Sequence, residues 1–205
     1  MEALKIILLS TFILCVSNTL IHSQISPSRI GTVISEFELR NTDYKIISLN
    51  DFSDERGLIV VFTCNHCPFA KLYTKRFNDL NRKYKALNVP LVAINSMDTL
   101  VYDEERFSLM QMKAKKESYN FPYLCDAEQV AGKLFSAEVT PHAYVLWKEN
   151  NNWVIKYSGA FDSNGAEPDK AAPFVANAVD ELLAAKKVMN PETESFGCKI
   201  FYRKP

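Results

Sequence analysis

The stretch Leu58-Ile59-Val60-Val61-Phe62-Thr63-Cys64-Asn65-His66-Cys67-Pro68-Phe69 decides the fold. It opens as an unbroken apolar, largely β-branched run, the pattern of a strand buried on both faces. A Cys-x-x-Cys and a proline follow. Phe69, Leu72, Tyr73, Phe77, Leu80 and Tyr84 then recur at helical spacing among Lys, Arg, Asn and Asp, which predicts one amphipathic helix. Two thiols therefore stand at a strand-to-helix junction. Unpaired N–H groups and the positive end of the helix dipole favour a thiolate there. The two-residue spacer lets the second sulfur reach back and close a disulfide. The pattern suits making and breaking disulfides.

A chain of 205 residues is long enough for one sizeable domain with its own core. Hydrophobic residues at 47% and charged residues at 23% place it among ordinary globular proteins. Lys+Arg and Asp+Glu balance at 24 each, and no basic tract stands out. That argues against nucleic acid or an anionic membrane as the main partner. Near the N-terminus, Lys5 precedes the apolar run Ile6 to Val16, which is too short to span a bilayer comfortably. Residues 1–23 read as a secretory signal cut before Gln24, although Ile21 fits the small-residue rule poorly; an uncleaved anchor is the alternative. The mature chain, 24–205, is then a single exported domain, periplasmic or secreted, with no membrane span. It keeps Cys64, Cys67, Cys125 and Cys198. Four cysteines are too few to staple a scaffold, so the core supplies stability and the thiols are free for chemistry.

Outward from the central stretch, 35–40 and 44–49 read as an N-terminal β-hairpin turned by Asn41-Thr42-Asp43. Pro90 to Asn95 is a second buried strand, parallel to the first across the intervening helix. Helices are expected at 103–116 and 126–135, with an extended piece at 121–124. Val139-Thr140-Pro141-His142 breaks the chain before a third strand, Ala143 to Trp147. Asn150-Asn151-Asn152 turns it into a fourth, and a last helix runs from about Ala171 to Val188. The order predicts an α/β fold of three layers, a central mixed sheet flanked by helices, with the hairpin as an extension.

With Cys64-Asn65-His66-Cys67-Pro68 after a buried strand and Thr140-Pro141 before the third, the chain resembles the thioredoxin superfamily. It is most similar to the exported thioredoxin-like and alkyl-hydroperoxide-reductase-like, or redoxin, branch. The match runs from about 35 to 202 and includes the closing Gly197-Cys198-Lys199-Ile200. The resemblance implies that Pro141 is cis and lies beside the catalytic pair. It also implies that the Thr140 backbone turns outward to pair with an extended substrate segment. The expected activity is thiol–disulfide exchange with protein or small-molecule thiols, by a monomer without metal or cofactor.

In that reading Cys64, the more exposed thiol, attacks a partner disulfide and Cys67 resolves the mixed disulfide. His66, when protonated, would stabilise the thiolate, as in the disulfide-oxidant relatives; the alternative is a solvated His without a role. Leu58 stands six residues before Cys64, where thioredoxins carry a buried acid, so the proton acceptor is unassigned. Cys198 could resolve a sulfenic acid or a mixed disulfide, or be unused. Cys125 reads as packing, and His142 as a substrate contact or an ordinary strand residue.

Competing readings stay open. Zinc needs four ligands, and Cys125, Cys198, His66 and His142 show no suitable pairing with the Cys pair; Pro68 stands where haem attachment needs His. A peroxiredoxin would carry Pro seven and Thr three residues before its reactive Cys, but Gly57 and Val61 hold those places for Cys64, and Val60 and Cys64 for Cys67. A non-enzymatic peptide platform with an idle disulfide is the remaining alternative.

Overall fold

In the computed structural model, which describes residues 28–204, strand β4 (Gly57–Phe62) lies at the centre of an eight-stranded sheet. The signal reading of 1–23 and its cut site lie outside the described residues. All six residues of β4 are buried, as an apolar run without alternation requires. Leu58, Val60 and Phe62 enter one core; Ile59 and Val61 enter the other. Each such side chain contributes on the order of 1.5–3 kcal/mol when fully buried.

The sheet also contains β1 (Val33–Ile34), β2 (Glu38–Asn41), β3 (Ile46–Ser48), β5 (Leu91–Asn95), β6 (Tyr123–Cys125), β8 (His142–Glu149) and β9 (Asn152–Gly159). Its order is β1-β9-β8-β4-β5-β6-β2-β3. β4, β5 and β6 run parallel, and β8 and β9 form the antiparallel hairpin. The predicted N-terminal hairpin is present as β2–β3, and it docks on β6. Among the helices, α2 (Thr74–Lys85), α3 (Phe107–Lys116) and α5 (Phe174–Leu183) pack one face through Phe77, Tyr84, Met110, Val175 and Val179. The other face is covered by α1 (Pro68–Lys71) and α4 (Val130–Phe135), with Ala70, Ala131 and Phe135. The three-layer α/β arrangement agrees with the sequence expectation.

Four helices are shorter than their periodicity predicts: α3 starts at Phe107, after a separate 3-10 turn over Asp103–Glu105, α4 starts at Val130, after the left-handed Gln129, and two more are cut short. The helix after the cysteines is two: α1 closes with i→i−3 bonds, Leu72 N–H to Phe69 O and Tyr73 N–H to Ala70 O, before α2 begins. Tyr73 and Arg76 are drawn onto the 160s loop, where both bond the Asp162 carboxylate. The last helix begins after Pro173, which cannot donate to the turn before it, and ends before Ala185, whose φ is +55°. A further short pair, β7 (Val139–Thr140) and β10 (Cys198–Lys199), forms its own antiparallel ribbon. The sequence pattern carries no strand signal at either place.

Candidate active site

The C-terminal end of β4 delivers Thr63 and Cys64, and Cys67 starts α1 with Pro68 in its first turn. Across from them the Thr140–Pro141 bond is cis. The structure brings Cys64, Cys67 and Thr140 into contact: Cys64 Sγ lies 3.1 Å from Thr140 Oγ1, and Cys67 Sγ lies 3.3 Å from Thr140 O. Both are free thiols. Neither is exposed: each has 0% of its surface open, so the expectation that Cys64 is the more accessible member is not met. The cover is the C-terminal tail. Cys198 lies opposite Thr140 in the β7–β10 ribbon, and the backbone edge expected to greet a substrate is paired with the chain's own residues.

Glu105 is the residue that sequence reasoning missed. It sits at the end of the 3-10 turn Asp103–Glu105 and is 1% exposed. Its carboxylate accepts the Asn65 N–H at 2.8 Å, the His66 N–H at 2.8 Å and Asn95 Nδ2 at 2.6 Å. His66 Nδ1 lies 2.6 Å from the same group, and the His66 ring stacks on Tyr102 at 4.2 Å. The N–H groups expected to favour a Cys64 thiolate therefore face a carboxylate instead. His66 is paired with Glu105 and is not a solvated side chain.

The electrostatics follow from these contacts. Cys64 is pushed well above the usual thiol range. The neighbouring Cys67 thiol, burial and the Glu105 charge beside it all raise it. Cys67 is held below that range. The neighbouring Cys64 thiol lowers it most, and the nearby Cys198 and the backbone at Ala70 and Cys198 lower it further, which outweighs burial. Lys113 Nζ donates to Cys64 O at 2.6 Å, and burial lowers its ammonium pKa.

Cys64, His66 and Glu105 bring three metal-ligand atoms within 4.8 Å of one another. The Glu105 oxygens, however, are already taken up by the two backbone N–H groups, the Asn95 amide and the His66 ring. Cys125 stands apart on β6, half-buried, with its thiol pushed up by burial.

His142 also lies outside the sulfur cluster, with Nε2 3.2 Å from Ser158 Oγ and Nδ1 3.3 Å from the Tyr144 hydroxyl. Burial lowers its pKa to about 4. Below about pH 6.5 the unfolded chain takes up a proton that the folded protein refuses until far lower pH. Stability is therefore full above that point and falls as pH drops to about 4, by up to about 3 kcal/mol. Urea unfolding across this window should show a smaller loss for His142→Gln than for the parent; equal slopes would remove His142 as the cause.

The fold and site define a thioredoxin-fold redoxin. A model of the AhpC/TSA family matches residues 30–160, and the chain belongs to that family. Among solved structures, it is similar to a hypothetical protein of Sinorhizobium meliloti at 28% identity and a TM-score of 0.79, covering 87% of this chain and 97% of that one. It is likewise similar to an uncharacterized conserved protein of Geobacillus kaustophilus at 31% identity and a TM-score of 0.76, covering 86% and 93%. A thiol-disulfide oxidoreductase from Bacteroides fragilis, at 17% identity and a TM-score of 0.52 over 62% of this chain and 89% of that one, shares the fold. No curated protein matches the chain.

Proposed function

We propose that this protein is a thiol–disulfide oxidoreductase that cycles Cys64 and Cys67 between dithiol and disulfide, with Thr140–Pro141 as the loop that meets the partner. The observation that carries the reading is the contact of both sulfurs with one residue of that loop, 3.1 Å to Thr140 Oγ1 and 3.3 Å to Thr140 O. In oxidation, two thiols lose two electrons and two protons and one S–S bond forms; reduction reverses this. A protein thiol is the favoured partner. The site is rimmed by exposed aromatic rings, Phe69 at 44% and Phe196 at 39%, with centroids 6.2 Å apart, and an apolar rim suits a polypeptide partner. An extended partner segment would take the place that β10 holds beside Thr140.

The compartment reading belongs to the same proposal. Residues 1–23 direct export, and the mature domain, 24–205, works in an oxidising space. The mass of the mature N-terminus tests it: a chain that keeps residues 1–23 would contradict it. Among the described residues no helix is long and apolar enough to cross a membrane.

The Cys67 thiol is drawn below the usual range, chiefly by its Cys64 neighbour, and a lowered thiol pKa favours the dithiol state and makes the disulfide more oxidising. Titration in glutathione buffers should therefore place the couple above the roughly −270 mV of thioredoxin. A value at or below that would mean the lowered thiol does not favour the reduced state. Failure to find a two-electron couple would end the redox reading altogether.

A further inference from the structure

The C-terminal tail is built onto the site and fastened on both sides of Cys198. Before it, Gly197 has φ +150°, and a Cβ there would lie 2.0 Å from Thr140 O, so only glycine lets the chain come this close. After it, the Ile200 N–H donates to Glu138 O at 2.8 Å and Ile200 is buried. Tyr202 OH donates to Ala137 O at 2.5 Å, and Arg203 Nη2 reaches Asp98 at 2.6 Å. Between these anchors Cys198 pairs with Thr140, whose Oγ1 donates to Cys198 O at 3.5 Å and whose own O lies 3.3 Å from Cys67 Sγ, so one residue bridges Cys198 and the Cys67 sulfur. Of the three sulfur-bearing residues in the cluster, Cys64 and Cys67 are buried and Cys198 is half-exposed.

We propose that Cys198 is a third catalytic cysteine of this site, exchanging with the Cys64–Cys67 disulfide to form Cys67–Cys198, the bond that outside dithiols reach. The inference rests on the proposed oxidoreductase reading. In the first step the Cys198 sulfur attacks Cys67 Sγ. The Cys67–Cys198 bond forms, the Cys64–Cys67 bond breaks, and its electron pair leaves on Cys64, which takes the proton Cys198 gave up. Nothing is oxidised or reduced overall. A thiolate of an outside dithiol then attacks Cys198 Sγ and expels Cys67 as a thiolate. The second thiol of that substrate closes its own disulfide and releases Cys198. The substrate loses two electrons and two protons, and the protein gains them.

The charge balance agrees with this order. In the dithiol form the Cys198 thiol is raised to about 12 by burial and by the anion on Cys67. That anion is gone once Cys67 is in a disulfide, so Cys198 ionises more readily when it is needed as the attacker.

The test is disulfide mapping of the full-length protein after oxidation with glutathione disulfide, acid quenching and non-reducing digestion. The parent should contain both Cys64–Cys67 and Cys67–Cys198 linkages, and Cys64→Ser the second alone. Gly197→Ala keeps every thiol but lifts the tail, and should lose most of the Cys67–Cys198 linkage. Reduction of the oxidised protein by an outside dithiol should slow about tenfold or more in Cys198→Ser. Absence of Cys67–Cys198 from both the parent and Cys64→Ser, or an unchanged rate in Cys198→Ser, overturns the inference and leaves the oxidoreductase reading standing. Absence of every linkage among these cysteines overturns both.

Discussion

Cys67→Ser is expected to abolish disulfide exchange, lowering the turnover of a dithiol peptide by roughly a thousandfold or more. The expectation follows from its place in the cluster. Cys64 precedes Cys67 across a two-residue spacer, and Cys198 pairs with Thr140, whose O lies 3.3 Å from Cys67 Sγ, so Cys67 is the partner in either intramolecular disulfide. Replacing Cys64 leaves Cys67 and Cys198, and replacing Cys198 leaves the adjacent pair; replacing Cys67 leaves neither. Serine keeps the shape and can still donate to Thr140 O and accept from the Ala70 N–H, so the fold should survive. Thiol counting before and after oxidation gives an independent readout: the parent loses two thiols on oxidation, and the variant loses none within the chain. A variant that still cycles at the parent's rate would mean that the chemistry runs elsewhere.

The order of strands and helices was largely legible because it depends on local pattern. An unbroken apolar run such as Leu58 to Phe62 has few other readings, and Cys-x-x-Cys-Pro at its end marks the turn into a helix. Helix ends were less legible: the 3.6-residue period of 69–84 runs straight across the break at Leu72-Tyr73, which arises from distant bonds to Asp162. Thr140-Pro141 was placed beside the cysteines by the resemblance to the thioredoxin superfamily; by itself the local sequence marks only a break before a strand. The cover over the site could not. Gly197 to Lys199 is a short polar piece whose strand character exists only because Thr140 lies beside it. Glu105 was hidden for a related reason. Asp103-Glu104-Glu105 reads as a solvated helix start, and nothing local says that the third carboxylate turns inward to meet the N–H groups after Cys64.

That carboxylate gives the second large effect. Glu105→Ala should destabilise the protein by about 3 kcal/mol, because it strands the buried Asn95 amide and leaves the part-buried N–H groups of Asn65 and His66 without their acceptor. Glu105→Gln separates charge from packing. One amide oxygen can still accept, so most of the fold should hold, while the negative charge beside Cys64 is gone. The charge is one of the causes that hold the Cys64 thiol up. Removing a like charge at this range lowers a pKa by roughly one unit or more. At neutral pH the thiolate fraction at Cys64 should then rise about tenfold, read as faster alkylation of Cys64 by iodoacetamide with the modified residue identified by mass spectrometry. Unchanged alkylation with an intact fold would mean that Glu105 only ties the loop together. Faster alkylation with a lower melting temperature in Glu105→Ala, and faster alkylation without it in Glu105→Gln, would show that one buried carboxylate both shapes the Cys-x-x-Cys loop and raises the Cys64 thiol.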